Sequence, residues 1–236
     1  MPTPQQLSLG ISLNDEATFA NFYVTEASAN ARTLSLLRAQ AAGEGESFLY
    51  VWGAPGVGLT HLLQAAGHEA QDLGQSIQYL PLYDVAGFAP DALLEGLEHL
   101  DLVCLDGLDA VAGHPAWEEA LFHLFNRIRD AQKRLLVAAV QGPQELPVAL
   151  PDLRSRLHWG ITCQVQALSD HEKERALRLR AHRRGMELGE EVAHYILQRI
   201  PRDTNELFCC LQRLDHASLA EQRKLTIPFV KKVLNL

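Results

Sequence analysis

The 236-residue chain has no run of about eighteen consecutive apolar residues, so the sequence offers no membrane-spanning helix. It also lacks a basic excess: 21 Lys and Arg stand against 29 Asp and Glu, a formal net charge of −8. A dedicated duplex-DNA binder carries a basic face and a high isoelectric point, so autonomous DNA binding is not expected. The start, MPTPQQLSLGISLNDEATF, has neither a basic lead nor an apolar signal core, which points to a cytoplasmic protein. Cysteines number four. Cys104 and Cys163 lie in apolar strand-like runs, where cysteine packs as a small hydrophobe. Cys209 and Cys210 are adjacent, a spacing that suits neither a zinc knuckle nor an ordinary disulfide, and all four are expected to be structural. The ten histidines form no HExxH or HxH set, so a metal site of those kinds is excluded.

What is present suits an ordinary soluble fold, with enough apolar residues (47%) to bury a sizeable core. Residues 1–13 are polar, contain proline and show no periodicity, and are expected to form a flexible tail. Strand-like runs then alternate with helical stretches. Strands are expected over Ser47–Gly53, Ser76–Leu82, Asp101–Asp106, Arg134–Val140 and Gly160–Gln166, and helices over Thr60–Leu73, Pro90–Leu100 and Pro115–Lys133. This alternation implies an α/β domain over 14–167, a parallel sheet covered on both faces. The pattern changes at Leu168. Ser169 with Glu172, and Asp203 with Glu206, have capping-box spacing; Glu190–Ile200 is helical, and Thr226 caps a last helix that tolerates Pro228 in its first turn. Residues 168–236 are expected to form an all-helical lid.

Gly53-Ala54-Pro55-Gly56-Val57-Gly58-Leu59-Thr60 follows a strand and opens a helix, the setting of a phosphate-binding loop. Glycines let the backbone curl so that N–H groups face phosphate oxygens, and the helix N-terminus adds partial positive charge. Leu59 stands where a lysine normally contacts the β- and γ-phosphates, while Thr60 keeps the hydroxyl that binds magnesium in working sites. A cradle for a diphosphate is expected to survive and hydrolysis to be impaired. Leu102-Val103-Cys104-Leu105-Asp106 ends an apolar strand in an acid suited to a magnesium shell. The next position, Gly107, offers no acid to polarise water, and Asp109 lies two residues on. The densest basic stretch, Lys173 to Gly185, reads as the solvated face of an arginine-rich helix rather than a nucleic-acid patch.

LFHLFNRI (Leu121–Ile128), LPDLRSRLHWG (Leu150–Gly160) and the capped lid resemble the AAA+ core of DnaA, the bacterial initiator. With the ending AEQRKLTIPFVKKVLNL, the chain looks like a member of the Hda family of DnaA-related regulators, a likeness running from about Ala17 to Leu236. The resemblance implies an AAA+ nucleotide-binding core with a small helical lid, and ADP or ATP with Mg2+ as cofactor. Through SRL it places the family's arginine finger at Arg156, a guanidinium whose five fixed donors stabilise charge on a neighbour's γ-phosphate. Without the resemblance, Arg154 and Arg156 would cap a short helix or pair with Asp152. The family also puts Tyr23 and Val24 beside the adenine, whereas Phe19 and Phe22 read equally as core. Gln6-Leu7-Ser8-Leu9 resembles the family's motif for docking on the sliding clamp of DNA polymerase III, with Gly10 where an apolar group is usual. Val140 takes the place of a polar residue near the γ-phosphate; Asn205 takes that of the lid's sensor arginine, with Arg202 three residues earlier.

Leu59, Gly107, Val140 and Asn205 are thus four altered parts of a hydrolytic site in a chain that keeps the finger. The expected function is negative regulation of replication initiation: a clamp-tethered adaptor that promotes hydrolysis of ATP on DnaA and turns over little itself. Two other readings stay open. An independent DnaA-like ATPase is opposed by Leu59 and Gly107 and would need a helix-turn-helix domain beyond Leu236. A clamp-loader-like scaffold would need a collar domain. Head-to-tail self-association is compatible with all three.

Overall fold

The structure, a computed structural model, describes residues 13–201 and 204–236. Five parallel strands, β1 (Phe48–Trp52), β2 (Ile77–Pro81), β3 (Leu102–Asp106), β4 (Arg134–Ala139) and β5 (Ile161–Gln164), lie in the order β2-β3-β4-β1-β5. Each falls within the range expected from the sequence. The connecting helices are α1 (Ala29–Ala41), α2 (Leu59–Asp72), α3 (Leu82–Val85), α4 (Pro90–Leu94), α5 (Pro115–Asp130) and α6 (Pro151–Leu157). Because side chains alternate across a strand, Tyr50, Val103, Leu105, Leu135 and Val137 enter one apolar layer with α5 and α6. Leu49, Val51, Cys104, Leu136 and Ala138 enter the opposite layer with α1 and α2. The central strands are therefore apolar almost throughout, the signature of a sheet buried on both faces. The edge strand β5 alternates instead, with Thr162 and Gln164 exposed.

Two stretches differ from a simple periodic reading. The helix expected over Pro90–Leu100 stops at Leu94: Glu95 turns extended (ψ 131°), and Gly96 turns left-handed (φ 78°) before a single 3-10 turn. The break lets both Leu94 and Leu97 join the layer under α5. Helix α1 escapes an apolar-period reading because its inward face carries Asn30, Thr33 and Gln40. Each makes hydrogen bonds, Asn30 with the backbone of Gln166, Thr33 to the Ala29 carbonyl, and Gln40 Nε2 to the Leu135 carbonyl at 3.2 Å, while Gln40 Oε1 is buried without a partner among the described residues.

The C-terminal helices α7 (Asp170–Arg183), α8 (Glu190–Arg199), α9 (Thr204–Glu221) and α10 (Ile227–Leu234) share their own core, in which Leu177, Ile196, Leu211, Leu214 and Val230 are fully buried. Truncating such a leucine to alanine typically costs on the order of 2–5 kcal/mol. The capping box forms as expected: Ser169 accepts the Glu172 N–H, and Glu172 accepts the Ser169 N–H at 2.9 Å. The Ser169 hydrogen bonds hold the Glu172 carboxyl below its usual range. Thr226 caps α10, while Asp203 and Arg202 lie outside the described residues. Cys104 and Cys210 are buried and Cys163 partly so; Cys209, facing outward from α9, is exposed and has no core role. Among the described residues no helix is long and apolar enough to cross a membrane.

Candidate functional site

A cleft of about 870 Å³ opens at the C-terminal ends of β1, β3 and β4, with α7 and α9 forming its far wall. Parallel α/β sheets place their ligands at this end. The loop from Ala54 to Thr60 lines it, and Gly53, the last residue before the turn, does not. The amides of Gly56, Gly58, Leu59 and Thr60 donate to no other protein group among the described residues, so they are free to face an anion. Gly58 caps α2 in a left-handed conformation (φ 97°), and a Cβ there would lie 2.9 Å from the Phe22 ring. Phe22 therefore packs on the loop itself, whereas Phe19 is buried in the layer of α1 and α2. Leu59 is half-buried against that same layer. It brings no charge to the cleft.

Across the loop, Asp106 at the end of β3 is 9% exposed and accepts the Tyr79 hydroxyl at 2.6 Å and that of Thr60. Burial raises its pKa; the two hydroxyls oppose the rise, and Asp109 and Asp84 add to it. An acid next to an α2 threonine, with two more carboxylates nearby, has the chemistry to join a nucleotide in holding a divalent cation. Among the described residues no group of three or more His, Cys, Asp and Glu side chains is placed to hold a metal ion by itself.

The position after Asp106 is more than a missing acid. Gly107 is left-handed (φ 80°), and a Cβ there would meet the Tyr83 ring at 2.5 Å. Tyr83 donates its hydroxyl to Asp109 Oδ2, and the Val140 N–H donates to Asp109 Oδ1 at 3.0 Å. The Tyr83 pKa is pushed up to about 12, chiefly by the hydrogen bond to Asp109. Both carboxylate oxygens of the remaining acid are thus engaged, and a ring lies over the glycine. The register Pro81↔Asp106 between β2 and β3 brings Tyr83, two residues past β2, to this spot.

The lid wall supplies cations that the sequence pattern had assigned to a solvated face. Lys173 and Arg180 on α7 both line the cleft. Arg180 lies 3.6 Å over the Phe208 ring and donates to His61 Nδ1 at 3.0 Å and to the Asn21 carbonyl at 3.5 Å. Burial lowers its pKa to about 10. His61 in turn donates Nε2–H to the Thr18 carbonyl at 2.8 Å, which fixes a neutral tautomer able to accept from Arg180. Helical spacing was the available signal: Lys173, Ala176, Leu177, Arg180, Ala181 and Arg184 fall on one stripe, and three of them are buried alanine or leucine. Tyr23 lines the cleft and Val24 does not. Asn205 lies near the start of α9, and Gln6, Leu7, Ser8 and Leu9 are outside the described residues.

Arg156 is elsewhere. It sits on the last turn of α6 and does not line the cleft. The loop leading into α6 is fixed by the buried Glu118 carboxylate, which accepts the N–H groups of Gly113 (2.7 Å), Ala149 (2.9 Å) and Leu150 (2.7 Å). Arg154 is committed to the Val148 carbonyl. Arg156 has no ion pair among the described residues, and its guanidinium carbon lies 6.0 Å from the Phe122 ring and 5.7 Å from that of Trp159.

The sheet order, the glycine-rich loop opening α2, the acid ending β3 and the helical lid define an AAA+ P-loop fold. A family model described as the bacterial DnaA ATPase domain matches residues 13–164, and one described as the Hda lid domain matches residues 170–234. The first spans more than half of the chain, and the chain belongs to the bacterial DnaA ATPase-domain family. Domain III of the Thermotoga maritima replication initiation protein DnaA is similar with a TM-score of 0.79 and 21% identity, over 95% of this chain and 98% of that one. AMPPCP-bound DnaA from Aquifex aeolicus gives 0.72 and 26%, over 85% and 65%. Thermotoga maritima RuvB gives 0.68 and 19%, over 93% and 71%, a likeness of fold alone.

Proposed function

We propose that this chain is an Hda-type regulator that lowers the activity of the replication initiator by supplying Arg156 in trans to ATP-bound DnaA. The contrast between the two ends of the molecule carries the reading. The chain's own cleft has Leu59 for the lysine, a covered Gly107 and a fully engaged Asp109, while Arg156 stands outside that cleft without a carboxylate partner among the described residues. In this reading the cleft holds ADP with little turnover, the loop amides on the diphosphate and Tyr23, Lys173 and Arg180 along the open side. Thr60 and Asp106 would hold Mg2+ with the phosphates, where it neutralises their charge. Gln6, Leu7, Ser8 and Leu9 tether the chain to the sliding clamp. The domains are a tail over 1–13, a nucleotide-binding domain over 14–167 and a lid over 168–236.

The test is single-turnover decay of ATP on DnaA, with clamp loaded on DNA. Arg156→Ala should slow the stimulated decay by about 10³-fold or more, because such a contact exists mainly in the partner's transition state. Clamp binding and ADP binding should persist. Wild-type-like decay with a folded Arg156→Ala protein would overturn the reading. Separately, alanine at Gln6, Leu7 and Leu9 together should abolish clamp binding without moving the melting temperature; unchanged clamp affinity removes the tether from the account.

A further inference from the structure

Trp159 is 57% exposed, an unusual position for the largest apolar side chain in a chain whose Trp117 is 4% exposed. It is not a loose loop residue. Its backbone N–H donates to the Arg156 carbonyl at 3.0 Å, closing the turn after α6. The following Gly160 abuts β1, where a Cβ would lie 2.2 Å from the Phe48 carbonyl oxygen, so the backbone at this point is pinned to the sheet. Two guanidinium groups flank the ring: Arg129 from the end of α5 at 5.6 Å from its centroid, and Arg156 at 5.7 Å. Arg129 is further tied to Asp130 through two hydrogen bonds of 2.9 and 2.8 Å.

We propose that Trp159 is a positioning and docking residue: it holds Arg156 extended for use in trans and is itself buried against the nucleotide-bearing mouth of a second P-loop protein. This rests on the reading of Arg156 given above. An aromatic face attracts a guanidinium through its quadrupole without consuming N–H donors, unlike a carboxylate, which would pair with them. Arg156 is thereby restrained while its donors stay available to phosphate oxygens. The surface combines an exposed aromatic with the Arg156 guanidinium, while the charge of Arg129 is balanced by Asp130, and an aromatic beside an arginine is the composition of an interface hot spot. Its positive charge complements the triphosphate it would meet.

The test uses the full chain with ATP-loaded DnaA and clamp on DNA, titrating Trp159→Ala, Trp159→Phe and Arg156→Ala. Trp159→Ala should raise the concentration for half-maximal stimulation by about thirtyfold, as loss of an aromatic anchor does. It should lower the maximal rate by about fivefold, the loss of restraint on Arg156. Trp159→Phe should recover most of both. A residue with only a structural role would lower the melting temperature and leave this split unmoved. As a second measurement, iodide quenching of the Trp159 component (wild type minus Trp159→Phe) should be strong in the free chain and fall when the partner binds. Wild-type titration curves with Trp159→Ala, while Arg156→Ala abolishes stimulation, would overturn the docking role alone. No effect from either variant would instead overturn the reading on which it rests.

Discussion

The cleft and the α6 end of this molecule treat their polar groups in opposite ways. In the cleft the amides of Gly56, Gly58, Leu59 and Thr60 stand free among the described residues, but three of its charged side chains are already engaged by neighbours: Asp106 by Tyr79 and Thr60, Asp109 by Tyr83 and Val140, Arg180 by His61 and Phe208. At α6, Arg156 lies 6.0 Å from the Phe122 ring and 5.7 Å from that of Trp159 and makes no ion pair among the described residues. Satisfied groups rigidify a site, and unsatisfied ones await a partner. The difference separates a region built to hold something from one built to meet something.

The largest test of that comparison replaces Arg156 with lysine. If the planar fork is what the partner meets, Arg156→Lys should stay within about tenfold of Arg156→Ala in stimulated decay, since an ammonium lacks paired donors. Recovery to wild-type rate would mean that α6 offers only charge.

On the cleft side, burial, followed by the Arg180 charge, lowers the His61 pKa to about 4 from the ordinary 6.5. The unfolded chain therefore takes up this proton near pH 6.5 and the folded chain only near pH 4. Its contribution to stability is complete above pH 6.5 and is lost as the pH falls towards 4, a loss on the order of 3 kcal/mol. Gln at this position keeps a donor and an acceptor but does not titrate. Melting curves from pH 7 to 4.5 should fall less steeply for His61→Gln; identical slopes would mean that His61 is not held neutral.

The smallest expected effect isolates the glycine beneath Tyr83. Gly107→Ala should cost roughly 1 kcal/mol from its left-handed backbone alone, plus whatever displacing the ring requires. In a Tyr83→Ala background only the backbone part should remain. Equal costs in both backgrounds would show that the ring does not press on this position.

Much of this architecture is legible in the sequence because it rests on local rules. The continuous apolar runs of β1, β3 and β4, the glycine loop and the Ser169 and Thr226 caps each depend on residues a few positions apart. What the sequence hides is contact created by strand register. Tyr83 and Gly107 are brought together by the pairing of β2 with β3, and Trp159 and Arg129 by the packing of α5 beside the turn after α6. Polar residues also mislead where they are buried. Asn30, Thr33 and Gln40 mask the inward face of α1, and the arginines of α7 look uniformly solvated until the helix is folded against Phe208 and His61.

The stretch from Asn14 to Thr25 has a mechanical consequence. Asn14 is fastened to α2 through Gln64 and His68, Thr18 to His61, and Glu16, Asn21 and Thr25 to α7 through Arg184, Arg180 and Glu172. It is a strap stitched alternately to the two walls of the cleft. A pull applied ahead of Asn14 is therefore delivered first to those stitches, before it reaches the sheet, so that strain on the leading end is felt as a change in how firmly the two walls are laced together.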